Sequence, residues 1–306
     1  MKTALLEVKI FLRKVLYWFQ YLFLYSIRKK MKIANADQTI QFIVDHRCSV
    51  CRYGDGEMDM ITSLHVGYDD SRKSNFQSYN KELAVRLKDI LKTGYDKEHN
   101  VMVCIPYVWK DHGKLVWRAR RFVERSLVNN RKIIEYSIDF SQHYGDSYFT
   151  RFYIDYQDKN KSQYIQLLKK IWENRDLCIV EGEQSRLGVG NDLFDDAHSI
   201  ERILCPATSA FDMYPEIMDA VRCVSKARLI LIALGHTATV LAYDLAKEGF
   251  QAIDIGHVDV EYEWFRMKAK EKVALPNKFV NEVEEGRIYT EEKDIVYLSQ
   301  VKVRIL

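Results

Sequence analysis

LILIALGHTATVLAYDLAKEGFQAIDIGHVDVEYEWF, residues 229–265, decides the fold. Its first six residues, 229–234, form an unbroken apolar run, as in a strand covered on both faces. Gly235 interrupts the run, and 237–247 reads as a helix. A second short apolar strand, 251–255, follows. Strand, helix and strand in succession imply a parallel pair, because the helix must carry the chain back to the starting edge. The same alternation extends outward. Residues 101–107, 177–181 and 202–205 read as further buried strands, and 49–54 as a strand ending in a glycine-rich turn. Helical spacing occupies 37–46, 79–91, 113–129 and 163–173. The pattern predicts an α/β fold, a mostly parallel sheet with helices on both faces. No Pro-, Gly- or Ser-rich linker divides it, so 33–306 reads as one domain behind an N-terminal helix, 1–32.

Composition agrees. The 306 residues are 47% hydrophobic and 29% charged, with only 4 Pro and 13 Gly, which excludes disordered and collagen-like classes. No repeat with a period of 20–50 residues occurs, so solenoids and propellers are excluded. The net charge of +3 is unevenly placed. Residues 1–32 hold eight basic residues and one acidic, so the remainder is mildly acidic and unlike a nucleic-acid binder. The six cysteines sit mostly in or beside apolar runs and read as buried free thiols in a reducing compartment. Cys48 and Cys51 have metal or redox spacing but lack a second such pair or neighbouring histidines.

The N-terminal segment is apolar, aromatic and ends in Arg28-Lys29-Lys30. Its longest uncharged run, 15–27, is shorter than the ~20 residues of a membrane span. It also lacks a signal-peptide cleavage site. Aromatic side chains beside a basic cluster suit a helix lying in the headgroup region of an anionic membrane. Packing or self-association of the chain into a homo-oligomer is the competing reading. On both readings the chain is expected in the cytoplasm, and on the first it is peripheral to the membrane's inner face.

In α/β sheets ligands bind beyond the carboxyl ends of the strands, and four turns there carry unusual residues. At 52–57, Arg52-Tyr53-Gly54-Asp55-Gly56-Glu57, an extended backbone places Asp55 and Glu57 on one side, where two hard carboxylates suit Mg²⁺ or Mn²⁺. Arg52 is a candidate phosphate partner; helix capping by the two acids is the alternative. At 181–192 the glycine-rich loop with Arg186, Gly188, Gly190, Asn191 and Asp192 offers backbone N–H groups to an anion, yet fits neither a P-loop nor a dinucleotide fingerprint. At 234–239, Gly235 precedes a helix with Thr237 at or near its N-cap and Thr239 beyond, a seat for a diphosphate, with His236 as a surface or capping residue in the alternative. At 254–264, His257, Asp259, Glu261 and Glu263 lie on one face if the backbone stays extended, whereas a helix after Gly256 places Asp259 and Glu263 together at i, i+4; either way the acids crowd the end of a strand and require a cation or raised pKa values unless this is a solvated helix start.

Three blocks occur in order: RYGDGE (52–57), IWENRDLCIVEGEQSRLGVGNDLFDDAHSIERILCPATSAFD (171–212) and the opening stretch. Together they resemble the GT-D glycosyltransferases, a bacterial family first catalogued as a domain of unknown function. The likeness covers roughly residues 40–280. It implies a Rossmann-like fold of the GT-D type and a UDP-sugar donor. Asp55 and Glu57 match the family's Asp-x-Glu metal motif, with Mn²⁺ or Mg²⁺ as cofactor. Residues 186–192, Arg52 with Gly54, and Gly235, Thr237 and Thr239 would face the nucleotide-sugar. The family usually reads Gly-Pro-Thr-Ala-Thr where this chain has His236. The implied reaction moves a hexose, glucose foremost, to a glycan, glycolipid or glycoprotein acceptor in surface polysaccharide or protein glycosylation. An inverting reaction needs a base, for which Asp259, Glu261, Glu263 and His257 all stand as candidates. A methyltransferase using S-adenosylmethionine and a non-catalytic membrane-docked scaffold are the alternatives.

Overall fold

The computed structural model describes residues 2–66, 77–280, 282–287 and 293–305. In chain order the elements are α1 (Lys2–Lys30), α2 (Ala36–His46), β1 (Ser49–Arg52), α3 (Asp55–Val66), α4 (Lys81–Leu91), β2 (Tyr95–Asp96) and β3 (Val101–Ile105). Next come α5 (Trp117–Asn129), α6 (Arg131–Ser137), β4 (Gly145–Asp146), α7 (Ser162–Lys169), β5 (Asp176–Gly182), β6 (Ser199–Cys205) and α8 (Tyr214–Arg222). The chain continues through β7 (Leu229–Ala233), α9 (His236–Lys247), β8 (Gln251–Asp254), α10 (Val258–Arg266), α11 (Ile295–Gln300) and β9 (Val301–Arg304).

Among the described residues nine strands form one sheet in the order β2-β3-β1-β8-β7-β5-β6-β9, with β4 also pairing β3. Every pairing is parallel except β2 with β3. The alternating pleat sorts side chains into two cores. Cys178 and Val180 of β5, with Ile230 and Ile232 of β7, pack under α3, α4, α5, α6, α8 and α9. Leu177, Ile179, Leu229 and Leu231 pack under α2, α7 and α10. Both faces are therefore covered, which explains why β5 and β7 read as continuous apolar runs. Helix starts follow their cap chemistry: Asn35 and Gln38 form a reciprocal capping box on α2, and Asn80 accepts from the Leu83 N–H on α4.

The helix expected over 113–129 begins only at Trp117, because Leu115 is drawn into a bridge with Tyr156. The one expected over 163–173 ends at Lys169 and gives way to turns. Five cysteines are buried and free, and burial pushes the thiols of Cys48, Cys178 and Cys205 up to about 12. Cys223 is exposed, contrary to its apolar flanks, since it caps α8 at the surface.

Helix α1 is fastened by its second half. Arg28 donates to the carbonyls of Trp109 (2.5 Å) and Lys110 (2.9 Å), Tyr21 Oη meets His112 Nε2 at 3.0 Å, and Leu24 is fully buried. On the opposite side Phe11, Trp18, Phe19 and Leu22 are exposed. No described helix is long and apolar enough to cross a membrane.

Candidate active site

Strands β1 and β8 are parallel neighbours whose following helices diverge. Helix α3 leaves β1 for one core and α10 leaves β8 for the other, which opens a crevice at the carboxyl ends of the two strands. The first and third turns singled out in the sequence meet there.

Arg52 ends β1 beneath this crevice. Its Nε donates to Asp254 Oδ1 at 3.2 Å, and its Nη1 donates to the Ser147 carbonyl (3.0 Å) and Thr150 Oγ1 (2.5 Å). Asp254 is buried at the end of β8; burial raises its carboxyl to about 6, against the pull of Arg52. Thr239 Oγ1 donates to the Arg52 carbonyl (2.8 Å) and approaches Asp254 Oδ2 at 3.3 Å, so α9 is pinned to both strand ends. Gly256 sits directly over the guanidinium. A Cβ built there would lie 1.7 Å from Arg52 Nη2, and its φ of +46° is one that L side chains rarely adopt.

The extended geometry expected for Asp55 and Glu57 is not what the chain adopts. Helix α3 starts at Asp55, which puts both acids in its first turn, where the helix dipole favours negative charge. Glu57 Oε2 accepts the Gly54 N–H at 2.8 Å, the capping role considered as the alternative. Asp55 is exposed. Between them Gly56 is approached by His236: a Cβ on it would lie 2.5 Å from His236 Nε2. His236 is buried, which removes the surface placement weighed as the alternative, and neither ring nitrogen is hydrogen-bonded. Gly235 caps α9, so Thr237 falls two residues inside, fully buried, with its hydroxyl 3.3 Å from Gln77 Oε1. The helix starts α3 and α9 therefore face each other across Gly56 and His236.

The second and fourth turns meet elsewhere, on each other. Because 258–266 is helical, its acids split between two faces. Asp259 and Glu263 share one face. Asn191 Nδ2 donates to each at 2.7 Å, the Gly188 N–H donates to Asp259 at 3.0 Å, and Lys278 Nζ lies 2.7 Å from Asp259 and 3.4 Å from Glu263. Asp192 accepts from Tyr262 Oη at 2.8 Å, and the Gly190 carbonyl accepts from Arg266. Arg186 is buried and donates to the Asn277 carbonyl at 2.7 Å. These polar groups of the glycine-rich loop face α10 and the segment after it. Glu261 points to the other side and accepts the Tyr153 and Ile154 N–H groups at 2.8 and 2.9 Å. Burial lifts its carboxyl to about 7, moderated by Arg151 and those two N–H bonds. The three acids thus do not crowd one point. His257 stands at the N-cap of α10 without a side-chain capping bond and lies near Glu282, whose carboxyl burial raises but Arg151, His257 and Lys272 together hold down to about 2.

Sequence reasoning missed Lys278, Asp254, Arg151 and Glu282. Asp254 stood at the end of a recognised strand beside Gly256, a signal that was available. Lys278 and Glu282 lie in a segment without periodicity and carried none.

The donor chemistry fits a divalent cation with respect to Asp55 and Glu57. Both are hard oxygen donors, Asp55 is open to solvent, and one Glu57 oxygen remains beyond its helix-start bond. Among the described residues no group of three or more His, Cys, Asp or Glu side chains is arranged around one point for a metal. A cation here would complete its shell with water and substrate oxygens.

The chain matches the model of the glycosyltransferase GT-D fold over residues 50–283. It is 37% identical over 283 residues to "Glycosyltransferase GlyD" of Streptococcus pneumoniae serotype 4 and 38% identical over 275 residues to "Probable glycosyl transferase Gly" of Streptococcus gordonii. These alignments cover 90% and 89% of this chain but only 33% and 39% of the relatives, so the chain spans little more than a third of their length. Among solved structures, the domain of unknown function 1792 described as having a distinct glycosyltransferase fold superposes with a TM-score of 0.85 at 39% identity, covering 93% of this chain and 99% of that one. "A New Glycosyltransferase (DUF1792) from Streptococcus sanguinis" gives 0.82 at 37% identity, covering 90% and 100%.

Proposed function

This chain belongs to the GT-D glycosyltransferase family, and from that premise we propose that it transfers a hexose from a UDP-sugar to a glycan, glycolipid or glycoprotein acceptor. The observation that carries the reading is the meeting of two helix starts, α3 and α9, at the β1–β8 crevice above Arg52. Free N–H groups at helix starts, together with a guanidinium, oppose the charge that builds on a departing diphosphate. Arg52 is preset for this, since its hydrogen bonds to Asp254, Ser147 and Thr150 fix the guanidinium before substrate arrives. Asp55 and Glu57 would hold Mn²⁺ or Mg²⁺, which as a Lewis acid further neutralises the leaving diphosphate.

Asp259, Glu261 and Glu263 are committed to Lys278, Asn191 and backbone N–H groups. That favours His257, which lies near the negative charge of Glu282, as the group that takes the acceptor proton. Arg186, Gly188, Gly190, Asn191 and Asp192 then shape the crevice wall through α10. The exposed apolar face of α1 and the exposed Lys29 and Lys30 in its last turn suit a cytoplasmic enzyme resting on the inner face of an anionic membrane.

The test is donor hydrolysis and transfer with purified protein, a panel of UDP-sugars beginning with UDP-glucose, and Mn²⁺ or Mg²⁺. Release of UDP that disappears in Asp55→Asn and Glu57→Gln is expected. Full activity in either variant removes the cation reading, and no turnover of any UDP-sugar removes the donor class. Among Asp259→Asn, Glu261→Gln, Glu263→Gln and a His257→Gln variant, only the last should abolish transfer while leaving UDP affinity intact.

A further inference from the structure

Helices α5 and α6 carry a second surface with the chemistry of a membrane face. On α5, Trp117 is 76% and Phe122 52% exposed, and Arg118, Arg121 and Arg125 are exposed with them. At 100° per residue these five fall within one side of the helix, opposite the buried Ala119, Val123 and Leu127. Tyr136 on α6 is 76% exposed. Residues 117–137 hold six basic residues against two acidic ones, although the chain beyond residue 32 is net acidic. Glu124 is occupied by Arg120 and Arg121, while Arg118 and Arg125 have no acidic partner among the described residues. The α5 surface adjoins α1, which is bound to the carbonyls of Trp109 and Lys110 just before α5.

We propose that the arginine–aromatic face of α5 docks on an anionic phospholipid bilayer, with the rings at headgroup depth and the guanidinium groups on lipid phosphates. Two features select this partner. Uncompensated arginines call for a diffuse negative surface. Trp and Tyr favour the interface between water and acyl chains. The proposal extends the reading of α1 given above but rests on α5 alone.

Vesicle flotation of the full chain tests it, comparing zwitterionic phosphatidylcholine vesicles with vesicles containing phosphatidylglycerol, at low and high salt. The wild type is expected to float only with the anionic vesicles and to be released by salt. At about fivefold per basic residue, Arg118→Glu/Arg121→Glu/Arg125→Glu should weaken binding by at least about a hundredfold. Trp117→Ala/Phe122→Ala should weaken it while preserving the salt dependence. All five positions are exposed, and unchanged near-ultraviolet circular dichroism verifies folding. If both α5 variants float like the wild type while Trp18→Ser/Phe19→Ser on α1 does not, the α1 reading stands and this one falls. A wild type that does not float overturns both. A concentration-dependent dimer that Trp117→Ala/Phe122→Ala dissociates also overturns the proposal, by showing that a second copy covers the face.

Discussion

Replacing Gly256 by alanine should unseat Arg52, and the cost follows from the geometry. The new methyl would stand 1.7 Å from Nη2, so the guanidinium has to leave. Leaving breaks its contacts with Asp254, the Ser147 carbonyl and Thr150. Separating a buried ion pair by removing one partner costs about 3–5 kcal/mol. Forcing an L residue into left-handed backbone adds about 1–2 kcal/mol. Asp254 can relieve part of the first cost by taking up a proton, since its carboxyl already titrates at about 6. Gly256→Ala is therefore expected to destabilise the protein by about 4 kcal/mol at pH 8, and less at pH 5. Arg52→Ala should cost about 3 kcal/mol at pH 8. The double variant should add only the backbone strain to the Arg52→Ala value, giving a coupling of about 2–3 kcal/mol. Urea unfolding of the four proteins measures it. If the single effects add to within about 0.5 kcal/mol, Arg52 does not pack against Gly256 and the preset guanidinium is lost from the account.

His236→Pro should be neutral or stabilising by about 1 kcal/mol, because the first helical position accepts proline and two unpaired buried nitrogens disappear; a fall in melting temperature of several degrees would contradict this. Arg202→Met leaves Glu181 charged in the sheet interior, where Arg202 Nη1 now lies 2.5 Å away, and should cost about 3–5 kcal/mol. Glu181→Leu/Arg202→Met should recover most of that loss in the same melts, and a double variant no better than the single would refute the pair's role. Burial raises Asp146 and Glu261 to about 7 and Asp254 to about 6, so their contribution is full below the unfolded carboxylate range and is lost as pH rises through 6–7. Thermal stability should fall between pH 5 and pH 8, and Asp146→Asn should flatten the slope; a profile that rises over that interval refutes the assignment.

The sheet was legible where strands are covered on both faces. The runs at 101–105, 177–180 and 229–233 are apolar throughout, so an unbroken apolar stretch of strand length sufficed. Strands β2 and β4 have two residues each and cannot show a period. The candidate site was half legible. Residue types at 52–57 and 235–239 pointed to the crevice, yet Asp55 and Glu57 were expected on an extended chain and occupy a helix start. Local sequence favours both states there, and the α3 side chains Met58 and Ile61, packed in the core, decide between them. The acids of 259–263 were visible as a cluster, and a helical reading already paired Asp259 with Glu263; what the sequence could not show were their partners, Lys278 and the Tyr153 and Ile154 N–H groups, which lie far away in sequence.

Helix α10 has a mechanical consequence. One of its sides grips the loop at 188–191 through Asp259 and Glu263; the other grips 153–154 through Glu261. It works as a tie-beam between two walls. Any displacement of the helix drags both walls together, so the crevice can widen only as one frame, and neither wall can swing as an independent flap without first snapping a buried carboxylate from its donors.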